Sequence, residues 1–207
     1  MIIAVDGPTA SGKGTIARAL ARHYGLPHLD TGLLYRAVGW QVMRNGGDPD
    51  DAADALAATA FPEALLDEPD LRSEATGSLA SRVSVHPAVR AALLERQRAF
   101  ANQPGGAVLD GRDIATVIAP EADAKLFVTA SVAARALRRW KEMRERGQDV
   151  SREAIEADLA QRDERDRTRA EAPLRQAEGA ALLDTSAMPP EAAIAAAIAL
   201  VEKRRQG

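Results

Sequence analysis

Four short runs of apolar, often β-branched residues along the chain predict buried β-strands. They cover residues 2–5, 107–110, 125–129 and 180–184. Continuous apolar runs of this kind are typical of strands that helices cover on both faces, as in a parallel sheet. A fifth short strand is expected within residues 25–32, between a Gly-Leu-Pro helix stop and an Asp-Thr-Gly turn.

Between these runs, apolar residues recur at helical spacing. They predict one helix after Gly12 and others over residues 33–45, 73–84, about 87–102 and from about 190 onwards. Ser131 and Ser151 are placed to cap two more helices, the first of which should end at Gly147. The last helix should cover the sheet with Ile194, Ile198 and Val201.

Residues 48–74 show no clear period. A short helix is expected over residues 50–60, and Pro62 and Pro69 interrupt the segment that follows. The composition indicates a surface excursion or lid-like insertion rather than core. The total of 207 residues suits one α/β domain with small excursions of this kind.

Composition excludes several classes of function. The sequence contains no cysteine, so disulfides, thiolate nucleophiles and cysteine-bound metals are ruled out. A net charge of −3 and an aromatic content of 3% argue against a surface that binds DNA or RNA. The N-terminus lacks a basic segment followed by a long apolar run, and no stretch reaches membrane-spanning length. We therefore expect a soluble, cytoplasmic protein without a membrane partner.

A glycine-rich segment joins the first strand to the first helix and predicts a phosphate-binding P-loop. It consists of Gly7, Pro8, Thr9, Ala10, Ser11, Gly12, Lys13, Gly14 and Thr15. Glycines let backbone N–H groups converge on phosphate oxygens, the helix N-terminus adds positive charge, and the lysine can reach β- and γ-phosphates. A plain turn with an exposed lysine is the alternative, but strand, loop, lysine and helix in this order favour the P-loop. Gly14 occupies the position where the pattern has a Mg²⁺-binding hydroxyl, which comes one residue later at Thr15.

Acidic residues follow the apolar runs at the carboxyl edge of the predicted sheet, where open parallel sheets bind ligands. They are Asp6, Asp30, Asp110 and Asp184. Asp110 is the natural candidate to hold a Mg²⁺ ion through water.

An arginine-rich run at residues 162–169 has two interpretations. Its alternating charges could form i,i+4 pairs, such as Arg162 with Asp166, on a solvated helix face. However, Arg162, Arg165 and Arg169 share one side of the helix, where like charges repel and an anionic ligand would relieve them. The second interpretation, an anion site, is favoured because a P-loop accompanies the run.

Several motifs together resemble the bacterial cytidylate kinases: residues 7–15, Leu-Asp-Thr-Gly-x-x-Tyr-Arg at 29–36, Leu-Asp-Gly-Arg-Asp at 109–113 and the run at 162–173. The helix at 90–100 is also similar to that family. The resemblance implies a P-loop NTPase-type α/β fold, a five-stranded parallel sheet with helices on both faces, in a single domain. It further implies a short monophosphate-binding insert over about 31–102 and an Arg-rich lid over about 140–170. The implied reaction converts ATP and CMP or dCMP to ADP and CDP or dCDP.

The resemblance also implies residue roles for the monophosphate. Its phosphate would be held by Arg36, Arg112 and Arg169, with Thr31 and Tyr35 nearby; taken alone, Thr31 could be a helix cap, Tyr35 a core aromatic and Arg36 a solvated side chain. The cytosine edge would be read by Ser81, Arg90 and Asp113, and the ribose held by Arg162 and Asp166.

For ATP, the implied contacts are the P-loop and the helical pair Arg135 and Arg139, with Arg138 as an alternative to them. The catalytic side chains would be Lys13, Arg112, Arg139 and Arg169. A phosphate acceptor is already ionised near neutral pH, so no general base is expected, and catalysis should rest on positioning and charge.

One departure from the family concerns the insert. Residues 61–74 are too few for the small antiparallel sheet of many relatives, so that sheet should be reduced or missing. We expect a monomer that acts on small nucleotides and has no nucleic-acid partner. The rival hypotheses are another small-molecule P-loop kinase, such as one for a sugar acid or shikimate, and a non-catalytic nucleotide switch or RNA-binding module.

Overall fold

A five-stranded parallel sheet lies at the centre of the molecule in the computed structural model, which describes residues 1–206. Its strands are β1 (Ile2–Asp6), β2 (His28–Asp30), β3 (Ala107–Gly111), β4 (Ala124–Thr129) and β5 (Ala181–Asp184). They pair in the order β2-β3-β1-β4-β5, and each of these pairs is parallel. The predicted parallel α/β fold is therefore confirmed.

Eight α-helices surround the sheet within the described residues. They are α1 (Lys13–Tyr24), α2 (Thr31–Arg44), α3 (Ala52–Ala57), α4 (Glu74–Val83), α5 (Pro87–Ala101), α6 (Val132–Glu145), α7 (Arg152–Thr168) and α8 (Pro190–Gln206). A π-helical turn, Ile114–Ile118, follows β3. The Ser131 and Ser151 hydroxyls accept backbone N–H groups of α6 and α7, which confirms both predicted caps. Gly147, just beyond α6, has a φ of 74°, as a helix stop requires.

The two faces of the sheet form separate cores, which explains the continuous apolar strands. On one face, Ile3 and Val5 of β1 pack with α1 and α8. On the other face, Ala4 packs with the end of α5 and the π-helical turn. The predicted contact face of α8 is confirmed: Val201 is buried, and Ile194 and Ile198 pack partly covered against the same core. The face also includes the buried Ala193 and Ala197. Small residues let this helix approach the sheet closely.

The region between α2 and α5 has its own core, which the sequence did not predict. Phe61, Leu65 and Leu71 are buried against α2 and α5, although a surface excursion was expected there. The interpretation was wrong because this segment folds into three short 3₁₀ turns, Ala58–Ala60, Glu63–Asp67 and Pro69–Arg72, which have no helical or strand period. The second and third turns carry Leu65 and Leu71 inward, and Phe61 directly follows the first. Residues 61–74 contain no strand, as expected for so short a segment.

Helices α6 and α7 pack against each other beside the P-loop and share a small core of their own. Ala136 and Met143 of α6 contact Ile155 and Leu159 of α7 in this core. The pair also touches α4 through α7. This core is separate from the two cores on the faces of the sheet.

Candidate active site

The loop after β1 has the geometry of an anion-binding cradle. Gly12 has a φ of 89° and Gly7 approaches the Val128 carbonyl so closely that a Cβ would lie 2.0 Å from it, so both positions require glycine. Helix α1 then begins at Lys13, and no side chain caps its N-terminus in the described structure. Its first N–H groups are therefore available to a phosphate.

Lys13 is partly buried where this loop meets the cleft. Burial, followed by the positive charge of Arg112, lowers the pKa of Lys13 to about 8, while Asp110 and Asp30 act in the opposite direction. An ammonium so poorly compensated by the protein is suited to an incoming polyphosphate.

Three of the four edge aspartates differ in environment. Asp110 is buried; its Oδ1 is 2.7 Å from His28 Nε2, and its Oδ2 faces Gly14. Asp6 accepts the backbone N–H groups of Ile114 and Ala115, both at 2.8 Å. Asp184 is exposed, and its carboxylate accepts hydrogen bonds from the backbone and hydroxyl of Ser186. It does not line the cleft.

A cavity of about 290 Å³ lies at the carboxyl edge of β1, β2 and β3 and extends under α4 and α7. It brings together all ten side chains expected to contact the monophosphate, together with Lys13, Asp110 and Arg139. The ten are Thr31, Tyr35, Arg36, Ser81, Arg90, Arg112, Asp113, Arg162, Asp166 and Arg169. The contacts of these residues with nucleotides stay predictions.

Thr31 and Tyr35 line the cavity from α2. Thr31 is not the cap of α2, since Asp30 holds that position; its hydroxyl donates to the Asp110 carbonyl at 2.8 Å. Tyr35 is buried, and the Arg90 guanidinium lies 5.5 Å from its ring centroid. The cap interpretation of Thr31 is therefore wrong, whereas Tyr35 is a core aromatic that also lines the cavity.

Two arginines, one from α2 and one from α7, meet beside Gly77 of α4 at the wall of the cavity. A Cβ on Gly77 would lie 2.8 Å from the Arg36 guanidinium and 2.9 Å from that of Arg162. Arg36 donates to the Leu71 and Ser73 carbonyls, and burial lowers its pKa to about 10, so it remains charged near neutral pH. Two like charges held side by side in this way favour an anionic ligand.

A second group of side chains closes the opposite end of the cavity. Asp113 is 4% exposed and forms an ion pair with Arg90, and its other oxygen is 3.8 Å from Arg169. The Arg169 guanidinium donates two hydrogen bonds to the carbonyl of Ala172, which hold it in place. Ala172 lies just beyond α7 and has a φ of 48°. The carboxylate and its two arginines form a polar end that could read the edge of a base.

Arg112 connects the P-loop to α7. Its Nε donates to Asp166 at 2.7 Å and a terminal nitrogen donates to Thr9 Oγ1 at 2.6 Å. Burial disfavours the charge of Asp166, but Arg112 outweighs this effect, so the pKa of Asp166 lies below its usual value. Asp166 thus forms its ion pair with Arg112 rather than with Arg162. The carboxylate partners of Arg162 are Glu74 and Asp158. The Arg162–Asp166 pair that illustrated the solvated-face interpretation is not formed. Arg162 pairs instead with Asp158 at i,i+4, but its side chain is buried rather than solvated.

The structure does not support the prediction that Arg135 contacts ATP. Arg135 is 2% exposed and lies beneath the P-loop, where it pairs with Asp163 and donates to the Thr9 and Ala130 carbonyls. It faces α7 because both of its terminal nitrogens donate to Asp163 on that helix. Its role is to support the loop.

A second cavity, of about 320 Å³, lies on the other side of the P-loop and includes Arg138, the alternative to Arg135. Arg138 donates to the hydroxyl and carbonyl of Thr185 there. The cavity is completed by Ser11, Thr15, Ile16, Met188, Pro190 and Ala193. Ala10 and Arg139 line both cavities, so the two spaces meet at the P-loop.

Three residues of the site escaped the sequence analysis: His28, Glu74 and Gly77. His28 lay in a predicted strand beside Asp30, but nothing in the sequence indicated its contact with Asp110. Glu74 and Gly77 lie one turn apart on α4, and their partners come from α2, α6 and α7. Contacts between distant segments leave no signal in local spacing.

The acidic residues fit a magnesium ion that is held mostly by other ligands. No group of three or more carboxylate, histidine or cysteine side chains is arranged as a metal site among the described residues. Asp110 Oδ2, which faces Gly14, is suited to reach a hydrated ion, while Oδ1 is occupied by His28. Such a donor set requires phosphate oxygens and water to complete the coordination.

The fold and the two cavities that meet at the glycine-rich loop define the class, a P-loop protein. The sequence profile of the family described as Cytidylate kinase matches residues 3–203, and the chain belongs to that family. It is similar to the cytidylate kinase of Xanthobacter autotrophicus, with 59% identity over the full length of both chains. The cytidylate kinase of Azorhizobium caulinodans is 55% identical over 99% of this chain and 100% of that relative.

A solved structure agrees at the level of the fold. The crystal structure of an uncharacterized protein from Eubacterium ventriosum matches with a TM-score of 0.57 and 15% identity, over 98% of each chain. No helix within residues 1–206 combines the length and apolarity needed to cross a membrane. The chain is thus an enzyme of the cytidylate kinase family, which transfers phosphate from ATP to CMP or dCMP.

Proposed function

We propose that the cleft transfers the γ-phosphoryl group of ATP directly to the phosphate of CMP or dCMP, with Mg²⁺ bound to ATP. The observation that carries this proposal is that Arg36, Arg112 and Arg169 share one cavity with Lys13. Lys13 and the P-loop amides would hold the ATP phosphates, while the arginines would hold the acceptor phosphate on the other side.

The chain's contribution to the reaction is positioning and charge. The acceptor oxygen is ionised near neutral pH, so the nucleophile needs no base. Lys13, Arg112, Arg139 and Arg169 would bring two anions together and stabilise charge as the phosphoryl group passes in line between them. Each such donor typically contributes about 10²–10³ in rate.

The remaining contacts follow from the two cavities. ATP would occupy the P-loop and the cavity beside Arg138, which replaces Arg135 as the predicted adenine-side residue. Mg²⁺ would be held by the phosphates and, through water, by Asp110; when bound it neutralises phosphate charge. Residues 31–102 would form the monophosphate-binding insert and residues 140–170 a lid, whose closure would exclude water.

Asp113 is the proposed reader of the base, in concert with Ser81 and Arg90. An ionised Asp113 accepts a hydrogen bond from the cytosine amino group but would oppose the carbonyl of uracil. Arg90 already holds this carboxylate in place. Arg162 would hold the ribose, with Asp166 acting through Arg112.

The test is an ADP-release assay across CMP, dCMP, UMP, AMP and shikimate, with the unchanged protein and Asp113→Ala. The unchanged protein should turn over CMP and dCMP. Asp113→Ala should lose the preference for CMP over UMP by about 10-fold or more, since one buried hydrogen bond to the base is lost, while ATP affinity changes little. Equal losses of CMP and ATP binding would refute the base-reading role. Turnover of shikimate, or nucleotide binding without turnover, would refute the reaction.

A further inference from the structure

One carboxylate, that of Glu74, joins α4 to both α6 and α7, the two helices between which the proposed lid extends. Its Oε2 is 2.5 Å from the Arg139 guanidinium on α6, and its Oε1 is 2.5 Å from that of Arg162 on α7. The Glu74 carbonyl also accepts from Arg162, at 3.2 Å. Glu74 therefore contacts both α6 and α7 from α4.

Glu74 lies behind the arginines rather than among them. Arg139 and Arg162 line the main cavity, whereas Glu74 is not among the described residues that line it. The carboxylate is therefore not in the space expected for a phosphate. It supports the outer sides of two guanidinium groups whose inner sides face the cleft.

The charges around Glu74 also distinguish it from other acidic residues on the surface. Burial opposes its ionisation, but Arg162 and Arg139 outweigh that effect, so the pKa of Glu74 is lowered and it stays ionised at neutral pH. The negative charge of Glu74 also offsets repulsion among the three nearby arginines, Arg36, Arg139 and Arg162. Two of them, Arg36 and Arg162, meet at Gly77.

We propose that Glu74 is a positioning residue, which holds Arg139 and Arg162 in the orientation that phosphoryl transfer needs and ties lid closure to the insert. The inference rests on the proposed transfer between two nucleotides in this cleft. Opening of the lid would break both ion pairs, so the pairs form as the lid closes and bring Arg139 to the reacting phosphates and Arg162 to the ribose. Glu74 itself touches no substrate.

The first experiment compares kcat and KM of Glu74→Gln with those of Glu74→Asp. Glutamine removes the shared negative charge, so kcat should fall about 10-fold, which is the size expected for losing a charge-assisted contact, while KM for CMP and ATP changes less. Aspartate keeps the charge and should restore part of kcat. Because ATP would be less well shielded, its hydrolysis should rise relative to transfer in Glu74→Gln.

The second measurement follows the lid without using activity. Trp140 lies on α6, and the other tryptophan, Trp40, packs on the insert core. In a Trp40→Phe background, Trp140 fluorescence should change when CMP is added with a non-hydrolysable ATP analogue. The change should be smaller in Glu74→Gln, because the lid closes less completely.

Glu63→Gln is the matched control, since Glu63 makes an exposed ion pair with Arg96 within the insert and does not touch the lid. It should behave like the unchanged protein in all assays. An unaltered kcat in Glu74→Gln, or tighter nucleotide binding with faster turnover, would overturn the inference. If Glu74→Gln fails to fold, the lack of any kcat effect in folded Glu74→Asp would overturn it. Failure of the unchanged protein to phosphorylate CMP would instead refute the proposed function.

Discussion

Lys13 lies where the two proposed nucleotides would meet. Its protein environment lowers its pKa below the value of a lysine in water. Burial is the main reason, and the nearby charge of Arg112 adds to it, so the pKa of Lys13 is about 8. Bound phosphates would reverse this imbalance, since an opposite charge at short distance raises the pKa of an ammonium. ATP binding should therefore be coupled to proton uptake.

We expect ATP binding to be accompanied by uptake of a proton by Lys13, and this uptake should increase as the pH rises through about 8. Near pH 6.5 Lys13 is already protonated in the free protein, and uptake should be small. Above the free-protein pKa, uptake should approach one proton. Calorimetry of ATP binding in buffers with different ionisation enthalpies measures this quantity. Lys13→Met should abolish the uptake, and its persistence in that variant would assign the proton to another group.

At the scale of elements, helix α4 is the wall that organises the cleft. Glu74, Gly77 and Ser81 fall at i, i+3 and i+7, so they share one face. Glu74 contacts Arg139 and Arg162, Gly77 gives space to Arg36 and Arg162, and Ser81 accepts from Arg165 at 3.1 Å. The face therefore depends on the absence of a side chain at Gly77 as well as on the polar groups of Glu74 and Ser81.

Gly77→Ala should separate stability from substrate binding. Alanine favours the helix by up to about 1 kcal/mol relative to glycine, but its Cβ would displace the guanidinium groups of Arg36 and Arg162. We expect KM for CMP to rise about 10-fold, as for one lost charge-assisted contact, with an unchanged or higher free energy of unfolding. Steady-state kinetics and urea unfolding test both effects.

Ser78→Ala is the control for Gly77→Ala, because Ser78 is the next residue on α4 and does not line the cavity. It should leave KM for CMP unchanged. A normal KM in Gly77→Ala would mean that the two arginines can shift without loss of the site.

At the scale of the whole molecule, Asp6 ties the central strand to the connection that carries Arg112 and Asp113. Its carboxylate accepts two backbone N–H groups at the start of the π-helical turn. Burial is the dominant effect and raises the pKa of Asp6 to about 7, although these two hydrogen bonds act against it. The folded protein therefore binds this proton more tightly than the unfolded chain does.

The pH dependence of stability follows from that shift. The contribution of Asp6 is full below about pH 4 and is lost as the pH rises to about 7, at up to about 1.4 kcal/mol per pH unit. Urea unfolding between pH 5 and 8 should show a falling free energy of unfolding, and Asp6→Asn should reduce the slope. Asp184→Asn, at the exposed end of β5, should leave it unchanged. An equal slope in Asp6→Asn would contradict the prediction.

The family motifs and the fold were predictable from sequence because both depend on local spacing. Apolar strands, serine caps at 131 and 151, and the loop around Gly12 each carry their information within a few residues. Arg135 shows the limit of this reasoning. Its spacing from Arg139 suggested a shared ligand, but a buried partner on α7, Asp163, decided its orientation.

The sequence by itself determined the order of strands and helices, the P-loop and the set of side chains expected at the carboxyl edge of the sheet. Only the tertiary structure decided how those side chains pair. Asp166 serves Arg112, Glu74 joins Arg139 to Arg162, and Gly77 makes space for two guanidinium groups. The physical reason is that hydrophobic period and turn chemistry act between near neighbours, whereas a buried charge takes whichever partner packing brings within hydrogen-bond distance.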